Sequence, residues 1–142
     1  HAESPECTPA SSICSITATY NDHTDASPFP SVRSNGSDYL LTAKRVNDYM
    51  ELYMSRPEDR QDPYFAPLLA EDLTRQPDTL IFTAEYCPLR DEGEAYGRRL
   101  LEAGNRARIV RVRDALHGYF MLPPRYVQVK RTYEIINEFL AR

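Results

Sequence analysis

Two side chains in this 142-residue sequence combine reactive chemistry with a position where it can be used. His117 follows the apolar, β-branched run Arg108-Ile109-Val110-Arg111-Val112-Arg113 by four residues and is followed by Gly118, which leaves the imidazole room to project toward a neighbour. An imidazole titrates near neutrality, so it can take a proton from a hydroxyl and return it to a leaving group. Cys87 stands after the second such run, Thr79-Leu80-Ile81-Phe82-Thr83-Ala84, and a thiol beside an imidazole is the pairing that cysteine nucleophiles need. In parallel α/β sheets ligands and catalytic groups gather at the carboxyl ends of the strands. The loops Glu85-Tyr86-Cys87 and Asp114-Ala115-Leu116-His117-Gly118 are therefore expected side by side at one sheet edge.

The elements that must position them follow from periodicity. Thr79 to Ala84 is a continuous apolar and β-branched run, the pattern of a strand buried on both faces. A helix capped by Asp91 and running to Ala103 follows, with Tyr96, Leu100 and Ala103 on one face and Gly104 as its stop signal. The strand at 108–113 comes next, so strand, helix and strand form a βαβ unit with a right-handed crossover and parallel neighbours. A last helix from about Arg125 to Ala141 carries Val129, Tyr133, Ile136 and Leu140 as its buried face. Upstream, Thr42 caps a helix at 43–54 whose inner face is Val46, Tyr49, Met50 and Tyr53, and the helix breaks at Pro57.

The stretch from Ile13 to Tyr20 alternates weakly and reads as a strand too polar for a sheet centre. Asn21 to Ser37 has loop chemistry, and Asp62 to Ala70 is Pro-rich but dense in apolar side chains that need a surface to pack on. The expected organisation is a leader with a strand and loop at 1–37, a cap-like helix and irregular segment at 38–76, and a βαβα core at 77–142. Together these make an α/β layer, a small parallel sheet covered by helices.

Composition excludes several functions. A net charge of −4, with Lys and Arg scattered among acids, argues against a nucleic-acid surface. No apolar run approaches the ~18 residues of a membrane span, and the polar start shows no signal peptide, so a cytoplasmic location is expected. The three cysteines, Cys7, Cys14 and Cys87, are too few and wrongly spaced for zinc or a disulfide framework. Asp22, His23, Asp25, Asp59 and Asp62 match no metal-ligand template and are expected on solvated loops, so no metal is predicted. The five glycines are too dispersed for a phosphate-binding loop, and no cofactor is predicted.

The strings Pro77-Asp78-Thr79-Leu80-Ile81-Phe82-Thr83-Ala84-Glu85-Tyr86-Cys87-Pro88-Leu89-Arg90-Asp91-Glu92-Gly93-Glu94 and Leu116-His117-Gly118-Tyr119-Phe120 resemble the C-terminal half of an α/β-hydrolase of the hormone-sensitive-lipase-like carboxylesterase family. Tyr64 to Ala70 and the helix at 43–54 resemble the segment leading into that strand and the excursion that helps cap the site. The resemblance implies an α/β-hydrolase fold, serine-dependent ester hydrolysis without a cofactor, and His117 as the general base of the triad.

It also exposes three departures. Cys87 falls where the family carries the triad aspartate, and a neutral thiol does not orient an imidazole or stabilise an imidazolium as a carboxylate does. Glu85, Asp91 and Asp114 are the acids near enough in sequence to replace it. The family's geometry places that position behind the imidazole, which disfavours Cys87 as nucleophile. The serine elbow Gly-x-Ser-x-Gly is absent, because the one glycine pair with that spacing, Gly93 and Gly97, encloses Ala95 within a predicted helix. The oxyanion motif of His followed by glycines is absent as well. The expectation is a partial carboxylesterase-like chain, inactive alone, whose exposed sheet is covered by a complementary nucleophile-bearing half or by self-association. The alternative is a non-catalytic binding or interaction module built on half of that fold.

Overall fold

A computed structural model describes the backbone of residues 12–14 and all of residues 18–141. Three strands, β1 (Ser12–Cys14), β2 (Thr79–Tyr86) and β3 (Ala107–Leu116), form a parallel sheet in the order β1-β2-β3. Between β2 and β3 the chain passes through α3 (Arg90–Glu102), which completes the expected βαβ unit. The remaining helices are α1 (Pro30–Ser34), α2 (Ala43–Tyr53) and α4 (Val127–Leu140), joined by 3₁₀ turns at Pro57–Gln61, Pro67–Leu69 and Tyr119–Met121.

β2 is buried from Thr79 to Ala84 on both faces, as its apolar run requires. Leu80, Phe82 and Ala84 enter the main core with Leu41, Val46, Met50, Val129 and Phe139, while Ile81 packs with Leu73 and Leu100 on the α3 side. α3 lies close to the sheet because Gly97 has no side chain: a Cβ there would stand 2.6 Å from Cδ1 of Ile109 on β3. It stops at Gly104, whose φ of +85° is natural for glycine.

Five expectations need correction. The first strand is Ser12–Cys14 and residues 18–20 are not extended into it, whereas the part of the expected strand at 15–17 lies outside the described residues. A short helix, α1, interrupts the segment expected to be loop; Pro30 sits in its first turn, where a missing N–H costs nothing. Asp91 does not cap α3: Leu89 occupies the cap without a side-chain bond, and Asp91 instead accepts hydrogen bonds from Ser31 N at 2.8 Å and Arg90 Nε at 2.8 Å.

The inner face of α2 is narrower than expected. Val46 and Met50 are buried, but Tyr49 and Tyr53 line a cleft and remain 59% and 79% exposed. α4 is rotated relative to expectation, burying Val129, Thr132, Ile135 and Phe139 and leaving Tyr133 and Leu140 largely outside. Thr132 tolerates burial because its hydroxyl donates to Gln128 O at 2.8 Å and accepts from Tyr119 OH at 2.9 Å.

Candidate active site

The ends of β2 and β3 meet as their parallel pairing dictates. Ala84 opposes Val112, yet Tyr86 opposes Leu116, so β3 carries two extra residues between the same two rungs. The irregularity is fixed at Asp114, which has φ +53° and donates its N–H to Glu85 Oε2 at 2.8 Å. An extra loop of backbone at a strand end re-aims the side chains that follow it. Here it delivers His117 over the end of β2, where its Nδ1 lies 3.3 Å from Cys87 Sγ.

Cys87 is fully buried, and that burial pushes its thiol up to about 12; Glu92 adds to the shift, while the Leu89 N–H and Arg90 oppose it. Such a thiol is ionised in roughly one molecule in 10⁵ at neutral pH, which is poor chemistry for a nucleophile. His117 is half-buried, and burial holds its imidazole below the usual range. With Nδ1 taken by the sulfur, Nε2 is the ring nitrogen left for a reacting group. His117 borders an apolar cleft of about 580 Å³ shared with Leu41, Val46, Met50, Tyr53 and Phe65, and also a smaller one of about 320 Å³ with Leu40, Tyr126 and Val129.

The loop bearing Cys87 is pinned from behind by residues that the sequence did not single out. Asn35 Nδ2 donates to Glu85 O at 3.1 Å and to Cys87 O at 3.2 Å, and Ser31 Oγ donates to Pro88 O at 2.8 Å. Arg90 Nη1 adds a bond to Glu85 O at 3.0 Å. The available signal was Pro30-Ser31, a helix start, closing on Asn35 one turn later.

None of the three neighbouring acids bonds His117 among the described residues. Glu85 is committed to the Asp114 N–H, Asp91 to Ser31 and Arg90, and the Asp114 side chain is exposed. The acids upstream close their own turns: Asp22 accepts from Thr24, Asp59 from Ser55 and Arg56, and Asp62 from Tyr64. His23, expected on a solvated loop, is instead buried and bonded to the equally buried Glu92 at 2.5 Å. Glu92 also accepts from Thr19 N at 2.6 Å, so the pair ties the segment before α1 to α3. Among the described residues no cluster of three His, Cys, Asp or Glu could hold a metal, and no helix is long and apolar enough to cross a membrane.

Comparison with known proteins points one way. A family model described as alpha/beta hydrolase fold matches residues 5–121. An arylesterase of Saccharolobus solfataricus is 41% identical over 86 residues, 60% of this chain and 28% of the relative. An ethyl acetate hydrolase of Pseudomonas putida is 37% identical over 93 residues, 66% of this chain and 29% of the relative. Among solved structures, a fungal esterase from Rhizomucor miehei superposes with a TM-score of 0.83 at 32% identity, covering 92% of this chain and 42% of that one. A Pyrobaculum calidifontis esterase gives a TM-score of 0.78 at 33% identity, covering 89% and 40%. The chain thus spans under a third of these curated relatives and about two-fifths of these solved chains.

Proposed function

This chain belongs to the α/β-hydrolase fold family, and from that premise we propose that it provides the histidine-bearing part of a carboxylic ester hydrolysis site. The observation that carries the reading is His117 at the end of β3, held at Nδ1 and bordering an apolar cleft. In the proposed reaction Nε2 of His117 receives the proton of a serine hydroxyl as it attacks the ester carbonyl, then passes it to the departing alcohol. The serine and the donors that stabilise the oxyanion come from polypeptide other than these 142 residues, which contain no Gly-x-Ser-x-Gly. That complementary part, or a second copy of the chain, would also cover the edge of β1 that pairs with no strand among the described residues.

A second reading is favoured by one observation, the thiol in the place of the triad acid: the fold is retained as a binding module whose cleft takes an apolar ligand without turnover. Nitrophenyl acetate hydrolysis separates the two. The chain alone is expected to match free imidazole, whereas co-expression with the serine-bearing part of a related esterase is expected to give turnover that His117→Ala lowers by on the order of 10²-fold, the ~10⁶ of an intact triad histidine less the ~10⁴ already lost without its acid. Turnover by the chain alone that His117→Ala abolishes would defeat the need for a second part. An assembled pair indifferent to His117→Ala would defeat the role of the histidine and leave the binding module.

A further inference from the structure

We propose that Cys87 is a positioning residue that sets the tautomer of His117: its S–H donates to Nδ1, so that the imidazole proton sits on Nε2. The assignment of donor and acceptor comes from the surroundings of the sulfur. Nδ1 is the side-chain partner of the sulfur among the described residues, and a protonated thiol has a single hydrogen to place. Cys87 is fully buried, and a buried S–H turns to the nearest acceptor, which is Nδ1 at 3.3 Å. The geometry is fixed, because Asn35 and Ser31 hold the carbonyls of Cys87 and Pro88.

The charged groups around the pair do not reverse this. Glu92 and Arg90 act on the thiol in opposite senses, Glu85 is bound to the Asp114 N–H, and burial is the cause of the shift at His117. A thiol at about 12 keeps its proton throughout the neutral range and so remains a donor.

The consequence rests on the ester-hydrolysis reading, although the geometry does not. A serine hydroxyl needs an unprotonated Nε2 to receive its proton, with Nδ1–H held by a carboxylate. The thiol favours the opposite arrangement, so the site rests in a disarmed tautomer and reacts only through the minor form whose Nε2 is unprotonated. An aspartate at position 87 accepts from Nδ1–H and frees Nε2.

Nitrogen NMR of the histidine rings in the full chain, with His117 assigned by loss of its signals in His117→Ala, reads the tautomer directly. The wild type is expected to show a protonated Nε2 and an unprotonated Nδ1, Cys87→Ser to keep that pattern, and Cys87→Asp to invert it while raising the titration midpoint of His117 by about 1–3 pH units. The S–H stretching band, isolated as the infrared difference from Cys87→Ala, is expected to move to higher frequency in His117→Ala. A protonated Nδ1 in the wild type, or an S–H band that ignores His117→Ala, overturns the proposal whether or not Cys87→Asp folds. In the co-expressed assembly Cys87→Asp is expected to raise kcat by about 10²-fold or more with little change in KM. The tautomer standing while turnover ignores His117 would sink the hydrolase reading alone.

Discussion

His117 is a base whose proton affinity the fold reduces, and that has a consequence for stability independent of any reaction. Its imidazole lies below the ordinary value of 6.5 because burial disfavours the charged ring. With the folded pKa below the unfolded one, the unfolded chain binds more protons as pH falls through 6.5. The contribution is therefore neutral above that value and becomes a loss of stability as pH falls toward the folded pKa. Urea midpoints measured at pH 8 and pH 5 are expected to differ less in His117→Gln than in the wild type, and an unchanged difference would remove the histidine from the acid sensitivity. His117 and Cys87 were legible in the sequence because strand ends gather reactive groups, and two apolar runs located those ends. Ser31 and Asn35 were not, since their roles depend on a five-residue helix set against a loop more than fifty positions downstream.

The seam between α3 and the sheet shows how an element is placed by what a residue lacks. A Cβ at Gly97 would meet Cδ1 and Cγ1 of Ile109 at 2.6 Å and Cδ1 of Ile81 at 3.0 Å. Gly97→Ala gains about 0.5–1 kcal/mol of helix propensity, but forcing two isoleucines aside costs about 1–3 kcal/mol. The net expectation is a loss of about 1 kcal/mol in denaturant unfolding, part of it recovered when Ile109→Val removes Cδ1; a stabilised Gly97→Ala would show that the seam has slack. The same seam carries the two-pronged ion pair of Arg111 with Glu94, both contacts at 2.7 Å, which links the first half of α3 to the middle of β3. The βαβ unit was legible because period and punctuation agree over 79–113. The buried face of α4 was not, because Thr132 reads as polar until Tyr119 supplies its hydroxyl with a partner. The width of the α2 face was also hidden, since Tyr49 and Tyr53 fit the helical stripe but face the cleft.

Across the whole molecule, apolar surface is spread unevenly. Tyr53 at 79% and Tyr64 at 98% stand exposed on the lining of the cleft, Leu52 at 82% is the residue before Tyr53 on α2, and Met121 at 91% follows the histidine loop. β2 has a neighbour on each side, whereas β1, only three residues long, pairs with no second strand among the described residues. Exposed apolar groups and a strand edge unpaired among the described residues favour association, since each large side chain removed from water contributes about 1.5–3 kcal/mol. Sedimentation velocity over a dilution series is expected to show concentration-dependent association of the chain. An apolar interface predicts its temper: little response to salt, because no long-range charge attraction is screened, and weakening on cooling, because hydrophobic burial loses strength there. Leu52→Ser combined with Tyr64→Ser is expected to shift the distribution toward monomer, whereas a change at exposed Lys44 is not. A single monomeric species across the series would mean that this surface tolerates water, and the covering role assigned to a second copy would then fall to the serine-bearing part alone.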